Sequence, residues 1–243
     1  MYNMFGGNNK NKRKLTDIYF GGERINKSNK SKKNDNVHES DDDDNSSIAD
    51  KITNAITGSK KGSGEKIERD NNHIYFYSEV NRDSIYDLIM LIKEAEEESI
   101  LTSLKLKIDE IPIYIHINSL GGSIFNCFAG IDIIQLCKVP VHTIIEGGSA
   151  SAGTLLSVVG KKRYMTKNAY MLIHQLSSGF WGKMGEIEDE FKNLEDLMKR
   201  IKDIYKEHTT IPKKELNDLL KHDLWLDSDK CLKYGLVDEI WTK

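Results

Sequence analysis

The chain has 243 residues, enough for one domain of moderate size with a long extension. Its 35 basic and 38 acidic side chains nearly cancel, so overall charge points to neither a nucleic acid nor a membrane as partner. Three cysteines, Cys127, Cys137 and Cys231, with no CxxC pair, argue against a disulfide framework or a zinc site.

Free thiols suit a reducing compartment, and the expected setting is soluble and cytoplasmic. No apolar run approaches the length of a membrane span, and MYNMFGGNNK lacks the apolar core of a signal peptide. Residues 9–33 are rich in Lys, Arg and Asn, whereas 39–44 read ESDDDD. Such a segment buries too little apolar surface to offset its ordering entropy. Residues 1–71 are therefore expected to be a disordered low-complexity extension, with DIYFGGERI (17–25) its one apolar island. The folded domain is expected over 72–243.

HIYFYSEV (73–80) alternates and is rich in aromatic and β-branched residues, which predicts a strand. RDSIYDLIMLIKEAEEE follows at helical spacing, with Asp83 or Ser84 as candidate N-caps. IPIYIHINS (111–119) predicts a second strand that ends in SLGGS, and a helix is expected from about 124 to 136. VPVHTIIEG (139–147) predicts a third strand, followed by a small-residue turn, EGGSASAG, and a helix over 153–159. KKRYMT and AYMLIHQ (161–175) predict two further short strands. MGEIEDEFKNLEDLMKRIKDIYKEH (184–208) carries one broad apolar stripe and predicts a long helix, suited to packing on another subunit as well as on its own domain. IPKKELNDLLKHD gives a shorter helix, and 236–241 a closing strand. Alternating strands and helices imply an α/β fold with a largely parallel sheet. Both glycine-rich turns fall at carboxyl ends of strands, where open α/β sheets place their sites.

The turn EGGSASAG offers two serines, Ser149 and Ser151. A turn that opens a helix gathers backbone N–H groups, which suit a developing oxyanion. The G-x-S-x-G elbow is absent, so the turn by itself is a weak signal. A nucleophilic serine needs a base, for which His174 and His116 compete, and an acid, for which Asp223, Asp227 and Asp229 compete.

Four motifs in order resemble the Clp protease proteolytic subunit, a self-compartmentalising serine peptidase of the ClpP-like family. They are INSLGGSI (117–124), GGSASAG (147–153), MLIHQ (171–175) and HDLWLDSDKCLKYGLVDEI (222–240). The resemblance covers roughly 72–241 and implies a ClpP/crotonase-like α/β fold of repeated β-β-α units with a long handle helix. It implies Ser151 as nucleophile, His174 as base and Asp223 as acid, leaving His116 to the core. It further implies oxyanion-hole N–H groups from Gly122 and Ala152, and substrate-binding backbone at Gly121, Ser123, Ile124 and Gln175.

The implied activity is serine-type endopeptidase hydrolysis of unfolded proteins or peptides within a chamber. No metal and no organic cofactor is implied. The family forms stacked homo-oligomeric rings, heptameric by resemblance, in which a glycine-containing strand at SSGFWGK and the handle helix interlock two rings. It also works with an ATP-dependent unfoldase, although residues 1–70 match nothing in the short N-terminal segment that contacts that partner. The sequence departs from the pattern at Ser149, Leu120, Leu176, Asp227, Lys230 and Cys231, none of them a triad member. Competing readings are a non-catalytic ring subunit of the same fold, a crotonase-like acyl-CoA enzyme and a Ser–Lys signal peptidase.

Overall fold

The computed structural model describes residues 66–242. The expected extension lies outside the described residues up to position 65. Two strands, β1 (Lys66–Asp70) and β2 (His73–Tyr77), form an antiparallel hairpin. β1 stands ahead of residue 72, where patterning places the start of the domain. KIERD has a single apolar residue, so pairing with β2 rather than its own composition makes it a strand.

Helix α1 (Arg82–Leu106) follows, capped by Asn81 rather than by Asp83 or Ser84. Asn81 Oδ1 accepts from Ser84 N–H and Ser84 Oγ accepts from Asn81 N–H, each at 2.9 Å. This reciprocal box satisfies two N-terminal donors. Ile85, Leu88, Ile92 and Ala95 form the buried stripe of α1. Each large aliphatic side chain so buried stabilises the fold by about 1.5–3 kcal/mol.

β3 (Ile113–Ser119) lies parallel to β2, and α2 (Ile124–Leu136) begins directly after the glycine pair. β4 (Val141–Ala150) is parallel to β3 and is the pivot of the sheet. Its first half pairs with β5 (Lys162–Met165), and its last three residues pair with β6 (Tyr170–Leu172). Between the halves, Gly147 has a φ of +67°, and its register with β3 shifts after Ile117. A Cβ at Gly147 would lie 2.9 Å from the Asn118 amide nitrogen, so glycine permits the bend.

α3 (Ala152–Val158) fills the space behind β4 and is wholly buried. The expected long helix is α4 (Met184–His208), followed by α5 (Lys213–Leu219), β7 (Trp225–Leu226), α6 (Ser228–Lys233) and β8 (Glu239–Ile240). The main sheet runs β1-β2-β3-β4-β5-β8, with β6 and β7 branching from the end of β4. The closing strand is shorter than expected, because Leu236 and Val237 turn into the core instead. The strand expected at SSGFWGK does not form, and residues 177–183 are irregular.

The core lies between the sheet and helices α1–α4, around Ile74, Phe76, Ile115, Ile117, Leu155 and Ile204. The opposite sheet face carries His73, Tyr75, Tyr114, His116, His142 and Tyr164 in a connected aromatic layer. No helix among the described residues is long and apolar enough to cross a membrane.

Candidate active site

Ser151 is the single residue between β4 and α3, and its backbone has φ 59° and ψ −127°. A side chain that is not glycine costs about 1–3 kcal/mol in so sparsely populated a region. Three constraints hold it there. Ala150 is paired with Leu172 in the β4–β6 ladder, Ser151 N–H donates to the Leu172 carbonyl at 2.9 Å, and α3 starts at once with Ala152. The serine is 1% exposed.

The same short strands bring the candidate base and the candidate acid together. β6 and β7 are antiparallel, with Leu172 opposite Trp225 and Met171 opposite Leu226. Continuing that register two residues beyond each strand sets His174 opposite Asp223. Their side chains meet there, with His174 Nδ1 2.8 Å from Asp223 Oδ1. A backbone bond from Gln175 N–H to the Leu220 carbonyl, 2.7 Å, anchors the chain after the histidine. The imidazole is largely enclosed, whereas the carboxylate is 77% exposed.

The rival acids have other work. Asp227 caps α6 by accepting from Lys230 N–H at 2.9 Å, and Asp229 lies in the first turn of that helix. The rival base, His116, is buried in the aromatic layer. It bonds His73 and Glu146 at 2.8 Å each, with Tyr77 hydrogen-bonded to the same carboxylate. That chain is a satisfied network on another part of the sheet. Burial pushes the Tyr77 hydroxyl up to about 12.

The glycine pair closes the site from the β3 side. Gly121 and Gly122 have φ values of +99° and +146°. A Cβ on Gly121 would lie 2.6 Å from Ser151 Cβ, and one on Gly122 would lie 2.3 Å from the Val80 carbonyl oxygen. Only glycine fits either position. Val80 N–H donates to the Gly121 carbonyl and Ser123 N–H to the Val80 carbonyl, both at 2.7 Å. This bridge does not use the Gly122 N–H. Of the other candidate substrate-binding residues, Ser123 and Ile124 are buried, whereas Gln175 is exposed.

Ser149 lies at the floor of the turn, fully buried, and its Oγ has no hydrogen-bond partner among the described residues. Cys127 and Cys231 are buried thiols, and burial raises the proton affinity of both. No cluster of His, Cys, Asp and Glu among the described residues is arranged to hold a metal ion. Two hydroxyls that no motif singles out, Thr154 and Tyr205, lie beside the turn. A threonine three positions into a helix opening is the available signal, because its hydroxyl reaches back to the i−3 carbonyl.

Residues 68–243 match the family model described as Clp protease. The chain is 31% identical over 169 residues to the ATP-dependent Clp protease proteolytic subunit of Deinococcus radiodurans, covering 68% of this chain and 83% of that relative. Its fold is similar to that of a ClpP1 mutant from Listeria monocytogenes, with a TM-score of 0.61 at 24% identity. That likeness covers 79% of this chain and 96% of the other.

Proposed function

Because the chain belongs to the Clp protease family, we propose that it is a serine-type endopeptidase with Ser151 as nucleophile, His174 as base and Asp223 as acid. The observation that carries this reading is the strained Ser151 turn, bonded to the strand that leads into a 2.8 Å His174–Asp223 pair.

Ser151 Oγ attacks the carbonyl carbon of a peptide bond while His174 takes the hydroxyl proton. The carbonyl oxygen becomes an oxyanion, received by the N–H groups of Gly122 and Ala152. His174 returns the proton to the leaving amine, and an acyl–Ser151 ester remains. Water then attacks the ester by the same steps in reverse order and frees the serine. Asp223 holds Nδ1–H and so fixes the tautomer that presents Nε2 to the serine. The backbone at Gly121, Ser123, Ile124 and Gln175 receives the peptide main chain.

The substrate class is unfolded protein or peptide, cleaved inside a chamber made by stacked rings of this chain. Supporting assembly, Trp181 is 94% exposed and Phe180 is exposed just ahead of α4, and Met184, Ile187 and Phe191 are exposed along its start. A run of large apolar side chains in water marks a surface that another molecule covers. A second ring is the occupant proposed, heptameric as the family resemblance implies. The family relationship also suggests an ATP-driven unfoldase as partner and a cytoplasmic location.

Two measurements test the reading. The protein should hydrolyse a fluorogenic peptide, and Ser151→Ala should abolish that activity. Light scattering should report an oligomer. A monomer at all concentrations contradicts the chamber, and full activity in Ser151→Ala contradicts the nucleophile.

A further inference from the structure

The Ser151 carbonyl and the Ala152 N–H belong to one planar peptide unit, so whatever holds the carbonyl aims the N–H. Thr154 holds it twice. Its backbone N–H donates to the Ser151 carbonyl at 3.0 Å, and its Oγ1 donates to the same oxygen at 2.7 Å. Behind Thr154 stands Tyr205 on α4, its hydroxyl 2.6 Å from Oγ1. A threonine hydroxyl has one proton, and here it points to the carbonyl, so Tyr205 is the donor in the second bond. Thr154 and Tyr205 are both 0% exposed. In so enclosed a setting, successive hydrogen bonds polarise one another and strengthen.

The peptide in question needs holding. Ser151 has φ 59° and ψ −127° without being glycine, and rotation of the Ser151–Ala152 peptide would relax the ψ toward the milder left-handed region at the same φ. The following peptide is also pinned, since Cys127 Sγ–H donates to the Ala152 carbonyl at 3.2 Å. A threonine that back-bonds to the i−3 carbonyl is common in helices. Here a second buried hydroxyl, brought from a separate helix, orients the first.

We propose that Thr154 and Tyr205 are positioning residues for hydrolysis, a two-hydroxyl relay from α4 that sets the plane of the Ser151–Ala152 peptide and so the aim of the oxyanion-binding N–H. This rests on the serine-peptidase reading above. It adds that the oxyanion site is tied to α4, whose first half carries the exposed apolar side chains.

The test compares the full-length wild type with Thr154→Val, Thr154→Ser, Tyr205→Phe and Ile201→Val. The last is a control on the same helix, which removes one buried methyl group outside the relay. Peptide-hydrolysis kcat and KM are measured with the melting temperature of each. A missing oxyanion donor costs about a hundredfold or more in kcat, and a misaimed one less, so Thr154→Val should lose about tenfold with KM changed by less than about twofold. Tyr205→Phe should lose about threefold, and Thr154→Ser, which keeps the hydroxyl, should retain wild-type kcat. Ile201→Val should lower the melting temperature without lowering kcat.

Wild-type kcat in Thr154→Val and Tyr205→Phe overturns the relay alone. So does a loss that Thr154→Ser shares, or one that Ile201→Val matches at equal loss of melting temperature. If Thr154→Val does not fold, the comparison of Tyr205→Phe with Ile201→Val decides. A wild type that neither cleaves peptide nor takes up a fluorophosphonate on Ser151 overturns the peptidase reading, and the relay with it.

Discussion

Replacing Asp223 with alanine should slow hydrolysis far less than the loss of a buried triad acid would. The carboxylate lies 2.8 Å from His174 Nδ1 but is 77% exposed. Unit charges about 4 Å apart attract by about 1 kcal/mol at the dielectric of water and by about 4 kcal/mol at an effective value of about 20. So exposed a carboxylate lies near the lower limit, and salt reduces the attraction further. The imidazolium formed during attack should therefore lose about 1–2 kcal/mol of stabilisation, a fall of about five- to thirtyfold in kcat. A buried acid in a Ser-His-Asp triad is worth about 10⁴-fold by the same measure. The assay is peptide hydrolysis by wild type and Asp223→Ala at low and high ionic strength. The gap between them should narrow at high salt, because only the wild type has an attraction to screen. A loss of about a thousandfold or more would refute the reasoning from exposure, and an unchanged kcat would show that another group orients His174.

Gly121→Ala should be inactive and destabilised by at least about 2 kcal/mol in chemical denaturation, since its Cβ meets Ser151 Cβ at 2.6 Å and its φ is +99°. Wild-type stability would contradict that packing. Ser149→Ala should leave activity intact and raise stability by about 1 kcal/mol, because it removes a buried hydroxyl with no partner among the described residues. A drop in melting temperature would mean that the hydroxyl is satisfied in solution. Burial, with His116 nearby, lowers the proton affinity of His73, and burial beside Lys162 lowers that of His142. The unfolded chain then binds more protons than the folded one below about pH 6.5, so stability held above that pH should fall as pH drops to about 5.5. Thermal melts across that range should show the decline, and His142→Phe should flatten it. A melting temperature that rises on acidification contradicts the assignment.

Much of this architecture was legible in the sequence because it is local. The alternation in β2 and β3 is set by which residues face the core, and the helical period of α4 by one apolar stripe whose later residues, Ile201, Ile204 and Tyr205, are buried; all three elements form as expected. Ser151, His174 and Asp223 stand out by motif, but their meeting is a matter of register. Only the antiparallel β6–β7 pairing sets 174 against 223 rather than against 227 or 229. β1 was not legible, because KIERD becomes a strand only through the partner it finds. SSGFWGK shows the converse, since a segment expected to be a strand is irregular in the fold. Tyr205 read as one more apolar position on a helical stripe. Its hydroxyl gains meaning only when α4 packs against Thr154, a contact across 51 residues of sequence.

If Ser151 is an activated nucleophile, a fluorophosphonate should label it, and peptide mapping locates the adduct. One adduct per chain is expected, on Ser151, absent from Ser151→Ala, strongly slowed in His174→Ala and retained in Ser149→Ala. An adduct that persists in Ser151→Ala, or a correctly assembled protein that takes up no label, would contradict it.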